Sequence, residues 1–176
     1  MQAINNLDEL LETLAKCSGQ EFVELATRLD LQAEDFEEYT FWDSETYTRN
    51  CVSRNEEYEL ILLCWEADHE TPVHCHNGEE CWVYALQGDM EEIRYQSKSN
   101  SDHDIYESER GLMKEGSVAY MHDSMGFHSL HNNSGARTMT LHLYMKPIPS
   151  CRVYDDEKNQ FIRKEMVYTT EQGKKL

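Results

Sequence analysis

The chain of 176 residues lacks any long apolar run. A membrane-spanning helix needs about 20 consecutive apolar residues, and the longest apolar stretch here is the short one around Leu60 to Trp65. The first 16 residues, MQAINNLDELLETLAK, also lack the basic start and apolar centre of a secretion signal. We therefore expect a soluble cytoplasmic protein that does not associate with membranes.

Positive charge is scarce as well. The chain has 16 lysines and arginines against 34 aspartates and glutamates, which gives a formal net charge of −18. A nucleic-acid-binding protein must neutralise phosphates with a basic surface, so this composition argues against a nucleic-acid partner. It is compatible with an anionic small molecule, because one buried arginine can outweigh the global charge locally.

The six cysteines form no CxxC pair and show no disulfide-framework spacing, so we expect reduced thiols. Internal repeats and linkers are also lacking. The length fits one domain, which we expect to span residues 1–176, with a helical segment over 1–40 and a β-barrel over 41–170. We expect this domain to act as a monomer.

The secondary-structure signals change along the chain. Apolar residues at helical spacing from Leu7 to Leu14, behind Asn6, predict a first helix. Ser18 and Glu21 have capping-box spacing and predict a second helix beginning there. From about Tyr47, short segments rich in β-branched and aromatic residues predict strands: YTRNCV, YELILLCW, PVHCH, CWVYAL, EEIRYQS, SVAYMH, HSLHN, TMTLHLYM and a final hairpin in CRVYDDEKNQFIRKEMVY. Many short strands without intervening helices indicate a sandwich or small barrel.

Two histidines stand out in the stretch TPVHCHNGEECWVYALQG. In a strand, residues two apart point to the same face, so His74 and His76 would project together as candidate metal ligands. A histidine on another strand, His128, can complete a triad. Ordinary strand histidines are the alternative interpretation at this point.

The surrounding glycines form a bipartite pattern that resembles the two motifs of the cupin superfamily. The first motif contains the histidine pair and Gly88, and the second contains Gly116, Gly126, His128 and Asn132. The position usually taken by a glutamate ligand falls on Cys81 or on Glu80, depending on the spacer. A site of three histidines plus Glu80 and a site of three histidines beside a cysteine are therefore both open.

Further segments resemble the cysteine dioxygenase family, the thiol dioxygenase branch of the cupins. The matching pieces are YTRN, LLCW, HCHNGEEC, GFH and TLHLY, in family order and at near-family spacing. This resemblance implies a mainly β fold, a small jelly-roll-like barrel of the cupin type with N-terminal α-helices. It also implies that His74, His76 and His128 hold Fe(II).

The same resemblance implies roles for the residues around the iron. Arg49, with Tyr47 and Tyr144 nearby, would bind the substrate carboxylate. Cys81 would lie beside Tyr144, and the two side chains form a thioether crosslink in some family members. His142 would position Tyr144, supported by Thr140, so that Tyr144, Cys81 and His142 are the candidate catalytic residues.

The implied reaction is the oxidation of L-cysteine with O2 to cysteine sulfinic acid, a step of cysteine catabolism. The presence of both Arg49 and Cys81 favours L-cysteine. The alternatives are a dioxygenase of another thiol such as 3-mercaptopropionate, and a non-catalytic metal-binding cupin that acts as a sensor. The chain departs from the family after Tyr144, where Met145, Lys146 and Pro147 replace the usual Ser-Pro-Pro.

Overall fold

A computed structural model describes residues 2–98 and 104–176. Its helices are α1 (Leu7–Leu14) and α2 (Glu21–Ala26), with 3-10 helices at Ala33–Tyr39 and Asp123–Met125. Its strands are β1 (Thr48–Arg54), β2 (Glu59–Trp65), β3 (Cys81–Gln87), β4 (Met90–Ser97), β5 (Ile105–Met113), β6 (Val118–Met121), β7 (Phe127–His131), β8 (Thr138–Tyr144), β9 (Ser150–Asp155), β10 (Gln160–Glu165), β11 (Thr170–Glu171) and β12 (Lys174–Lys175). None of the helices in these two ranges is long and apolar enough to cross a membrane.

Hydrogen bonds between side chains and backbone amides mark the starts of the two N-terminal helices. The Asn6 side chain accepts a hydrogen bond from the Glu9 amide at 2.9 Å, which confirms the predicted start of α1. The second helix begins three residues later than predicted, at Glu21. The Glu21 carboxylate accepts a hydrogen bond from the Ser18 amide at 2.9 Å, which is one half of a capping box. The other half is not formed, because Gln20 occupies the N-cap position and no side chain caps the helix.

The strands form three hydrogen-bonded sheets. The largest has the order β12-β11-β1-β2-β8-β3-β6, and its pairs are antiparallel except β1 with β11. The others are the three-stranded sheet β5-β4-β7 and the two-stranded sheet β10-β9. The predicted mainly β class with N-terminal helices is thus confirmed, although hydrogen bonding within the described residues does not close the sheets into one barrel.

The central strands of the seven-stranded sheet are buried on both faces. All seven residues of β2, ELILLCW, are buried, and the six from Leu60 to Trp65 alternate between two apolar cores. Leu60 and Leu62 pack on the outer face with the N-terminal helices, whereas Ile61 and Leu63 pack on the inner face with residues of β4 and β7. Burying each such side chain contributes about 1.5–3 kcal/mol. The inner face also carries the candidate site.

Two local predictions differ from the structure. The segment PVHCH is not a strand, and His74 makes only isolated bridges, to His128 and to Val153. The strand β5 was not predicted, because it is an exposed edge strand whose residues show little apolar alternation.

Candidate metal centre

The three candidate histidines are brought together by backbone pairing. His74 and His128 exchange two backbone hydrogen bonds, from the His74 amide to the His128 carbonyl at 2.9 Å and in the reverse direction at 3.1 Å. His74 also bridges Val153 of β9. The site therefore forms where the three-stranded and two-stranded sheets meet the loop that precedes β3.

The ring nitrogens of these histidines converge. One ring nitrogen of each of His74, His76 and His128 lies within 4.8 Å of the other two. The Nε2 atoms of His76 and His128 are 3.1 Å apart. Both of these side chains are buried, so the nitrogens face each other in a site that excludes most of the surrounding water.

Hydrogen bonds on the far side of two rings fix their orientation. The Nδ1 of His74 lies 2.9 Å from the Pro72 carbonyl, and the Nδ1 of His128 lies 2.7 Å from Oε1 of Glu92. A carbonyl and a carboxylate can only accept, so each Nδ1 donates its proton and each Nε2 keeps a free lone pair. The buried Nδ1 of His76 has no hydrogen-bond partner.

The rings of His74 and His76 are held neutral. Burial lowers the pKa of His74 to about 3, with the neighbouring His128 as the next cause. Burial and the same neighbour also hold the pKa of His76 well below its usual value. Metal binding requires neutral imidazole, and imidazole nitrogens suit Zn, Cu, Fe and Ni. The donor set and its convergence thus fit a divalent transition metal.

Two acidic residues that sequence reasoning missed support this arrangement. Oδ1 and Oδ2 of Asp123 accept hydrogen bonds from the amides of His76 and Gly78, each at 2.7 Å. Glu92, which contacts His128, is also paired with Arg94 at 3.1 Å. Burial alone would raise the pKa of Glu92, but hydrogen bonds from His128 and Arg94 outweigh burial and lower it, so this carboxylate is ionised.

Glu80, the alternative fourth ligand, lies outside the cluster. Among the described residues, the group that could hold a metal contains only the three histidines. The Glu80 side chain instead forms a hydrogen bond with Tyr120.

The predicted carboxylate-binding residues lie in the same cavity as His74 and His76. Its volume is about 240 Å³, and its lining includes Tyr47, Arg49 and Tyr144. Arg49 is only 9% exposed, and its buried Nε has no hydrogen-bond partner. Its side chain donates a hydrogen bond to Tyr144. The cavity thus offers an unpaired, positively charged donor beside the histidine group.

The predicted catalytic residues lie on neighbouring strands of the inner face. Cys81 of β3 stands directly opposite Tyr144 of β8, and both are buried. Side chains opposite each other on antiparallel strands have Cβ atoms about 4.5–5.5 Å apart. Burial raises the pKa of Tyr144, and burial raises the pKa of Cys81 well above its usual value, so both groups are protonated.

A hydrogen-bond chain fixes the ring next to Tyr144. The Trp65 indole donates to Oγ1 of Thr140 at 2.9 Å, and this hydroxyl lies 2.8 Å from Nε2 of His142. The ring centroids of His142 and Tyr144 are 6.2 Å apart and nearly parallel. Tyr47, which lines the cavity, stacks on the ring of the same Trp65 with centroids 4.7 Å apart.

Comparisons with known proteins agree on family and fold. The family described as "Cysteine dioxygenase type I" matches residues 1–157. The Homo sapiens protein named "Cysteine dioxygenase type 1" is 28% identical over 137 residues, which cover 77% of this chain and 68% of that protein. The Bos taurus protein of the same name is 30% identical over 129 residues, covering 70% and 64%, and the Danio rerio protein is 26% identical over 178 residues, covering 96% and 89%.

Solved structures also resemble this chain. A Thermus thermophilus protein is 20% identical with a TM-score of 0.50, and the match covers 64% of this chain and 94% of that one. An RmlC-like cupin protein from Desulfovibrio desulfuricans is 21% identical with a TM-score of 0.49, covering 62% and 91%. At 20% identity, the similarity to the Thermus thermophilus protein concerns the fold alone.

Proposed function

This chain belongs to the cysteine dioxygenase type I family, and we propose that it is an Fe(II)-dependent enzyme that oxidises L-cysteine with O2 to cysteine sulfinic acid. One observation carries the proposal. Two histidines of the three-histidine cluster, His74 and His76, and a buried arginine with an unpaired Nε line a single cavity of about 240 Å³. A thiol that also bears a carboxylate can use both groups at once.

In this proposal, His74, His76 and His128 hold the iron through their ring nitrogens. When bound, ferrous iron would supply a site for the thiolate sulfur and the redox chemistry that activates O2. The Pro72 carbonyl and Glu92 keep two of the ligand rings oriented toward it, since each accepts the Nδ1 proton of its histidine.

Arg49 binds the substrate carboxylate in this proposal. Its Nε–H is buried without a partner, so a carboxylate would satisfy a donor that otherwise carries a desolvation cost. A charge-assisted hydrogen bond of this kind typically contributes about 1.5–3 kcal/mol. Tyr47 lines the same cavity, and Tyr144 accepts a hydrogen bond from Arg49. These contacts orient the substrate within the cavity.

Tyr144 keeps a proton available at the reaction site. Because burial raises the pKa of Tyr144, its hydroxyl stays protonated and can donate a hydrogen bond to a substrate group in the cavity. Thr140 holds the ring of His142 next to it. We further propose that Cys81, directly opposite on β3, joins Tyr144 through a thioether. The S–H bond of Cys81 and one ring C–H bond of Tyr144 break, an S–C bond forms, and O2, the oxidant of the proposed reaction, accepts the two electrons and two protons. Intact-mass measurement before and after turnover would detect the loss of these two hydrogen atoms.

The direct test is turnover by the iron-loaded protein. The purified chain is loaded anaerobically with ferrous iron and given L-cysteine and O2, and both oxygen consumption and cysteine sulfinic acid are quantified. We expect about one O2 consumed per sulfinate formed, because both oxygen atoms enter the product. A fully iron-loaded sample that binds L-cysteine without consuming O2 would contradict the proposal and favour the non-catalytic sensor.

Substrate choice is tested at Arg49. We expect Arg49→Ala to lower kcat/KM for L-cysteine by about 10- to 150-fold, which corresponds to loss of the charge-assisted contact. Turnover of cysteamine, which has no carboxylate, should change little. Arg54→Ala is the matched control, because Arg54 is an exposed arginine on the same strand. A higher kcat/KM for 3-mercaptopropionate than for L-cysteine would favour the other thiol dioxygenase.

A further inference from the structure

Glu59 is a buried carboxylate on the inner face that the proposed reaction does not use. It is 1% exposed and stands directly opposite Tyr144 in the pairing of β2 with β8. On the other side of Tyr144, Cys81 occupies the matching position of β3. The three side chains thus form a row across adjacent strands, and the central one, Tyr144, lines the cavity and is hydrogen-bonded to Arg49.

The carboxylate is held in place by neutral donors. The Tyr168 hydroxyl donates to Oε1 of Glu59, and the Ile148 amide points at Oε2 from 3.5 Å. Within residues 2–98 and 104–176, Glu59 forms no ion pair, and Arg49 is the cation with the largest electrostatic effect on its carboxylate. The charge of Glu59 acts on Arg49 and Tyr144 in return. Burial raises the pKa of Glu59 and Arg49 opposes this rise, so the two groups act on each other without a direct ion pair.

From this placement we propose that Glu59 sets how tightly the cavity holds a carboxylate, by repelling the anion that Arg49 attracts. The inference rests on the proposed function, and it concerns the same class of substrate, thiols with a carboxylate. Charges separated by a few ångströms in a poorly solvated site interact strongly. Tighter binding of the substrate lowers KM but does not raise kcat once the substrate concentration exceeds KM. Weaker binding of the carboxylate would therefore reduce the rate of turnover little.

The test is Glu59→Gln, which removes the charge and keeps an oxygen that can accept from Tyr168. We expect KM for L-cysteine and the inhibition constant of propionate each to fall by about tenfold, the change that about 1.4 kcal/mol of lost repulsion produces. KM for cysteamine should not change. An equal effect on cysteamine, or a rise in KM for L-cysteine, would overturn the proposal and make Glu59 a structural anchor.

Tyr168→Phe is the matched control, since it removes the hydrogen bond and leaves the Glu59 charge. We expect it to leave the ratio of the L-cysteine and cysteamine KM values as in the wild type. A Tyr168→Phe enzyme that reproduces the Glu59→Gln values would refute the charge argument. If Glu59→Gln does not fold, the double variant Glu59→Leu with Tyr168→Phe removes the carboxylate together with the hydroxyl that donates to it, which is better tolerated than removing one of the two. The same decrease in KM is expected.

A second readout separates this inference from the proposed function. Propionate affinity is also measured by NMR titration of the iron-free protein, which requires no turnover. If the wild type makes no sulfinate, the proposed reaction is wrong, yet tighter propionate binding by Glu59→Gln still supports the role of Glu59. If the wild type turns over and propionate affinity is unchanged in the variant, only the inference about Glu59 fails.

Discussion

Removing the negative charge of Glu92 should weaken metal binding at the histidine cluster. Glu92 is buried, and its Oε1 lies 2.7 Å from Nδ1 of His128. An ionised acceptor makes the imidazole a better electron donor and holds the ring in the orientation that leaves Nε2 free. Two variants separate the contribution of the charge from that of the hydrogen bond: Glu92→Gln removes the charge alone, and Glu92→Leu removes both.

The expected magnitudes follow from what each variant keeps. The amide oxygen of Glu92→Gln still accepts the Nδ1 proton of His128 but carries no charge, so we expect metal affinity to fall by roughly tenfold. Glu92→Leu also removes the acceptor and leaves a buried donor unpaired, so the loss should approach about 100-fold. These changes correspond to about 1.4 and 2.7 kcal/mol.

The assay is metal competition with a chromophoric chelator, using Co(II) or Zn(II) to avoid oxidation of iron during the titration. Glu91→Gln is the control, because Glu91 is the preceding residue of β4 and its carboxylate contacts Arg110 and Asn133, each at 2.9 Å, rather than His128. Circular dichroism of the metal-free variants checks that the fold is retained.

One result would refute this reasoning. If Glu92→Leu, correctly folded, binds the metal as tightly as the wild type and Glu91→Gln, then the carboxylate does not act through His128. In that case His128 would not be a ligand, or its ring would be held by its surroundings alone.

Three other predictions concern the surroundings of the site. Asp123→Asn retains only one of two carboxylate acceptors, so we expect metal affinity to fall by roughly tenfold and the His76 amide to exchange hydrogen faster, measured by chelator competition and hydrogen exchange. Gly126→Ala should cost about 3 kcal/mol or more in urea unfolding, because φ is +103° and an added Cβ would lie 2.2 Å from the Tyr95 carbonyl oxygen. Phe36→Ala should lower the free energy of unfolding by about 3–5 kcal/mol, because the side chain is fully buried, while metal affinity stays the same; a loss of metal affinity would contradict this separation.

Elements with strong local signals were predictable from the sequence. The leucine spacing and Asn6 indicated α1, and the apolar runs indicated β2, β3 and β8 within a few residues. These strands are continuous apolar segments because the centre of the seven-stranded sheet is covered on both faces. Their length and flanking turns, rather than alternation, identified them.

Elements that depend on distant contacts were not predictable in the same way. The segment around His74 looks like a strand, but bridges to His128 and Val153 and the hydrogen bonds from Asp123 determine its path. The exposed strand β5 is defined by its pairing with β4. Neither feature produces a recognisable pattern in the local sequence.

The residues of the candidate site also fall into a group that the sequence predicted and a group that it did not. Spacing and the family resemblance pointed to the three histidines, Arg49, Cys81 and Tyr144, and the structure brings these side chains to one region, although their roles remain predictions. Glu59, Glu92 and Asp123 are three of 34 acidic residues, and nothing in the sequence distinguishes them. Only strand register and loop geometry show which carboxylates lie next to the site.

The double bridging of His74 has a consequence for thermal behaviour. Since this one residue is tied to both smaller sheets, an ion bound by the three histidines would fasten separate parts of the chain to one another. An ion that binds only the native state, at 100 times its dissociation constant, would add about 2.7 kcal/mol to the unfolding free energy. The melting temperature would then report how much of a preparation is metallated.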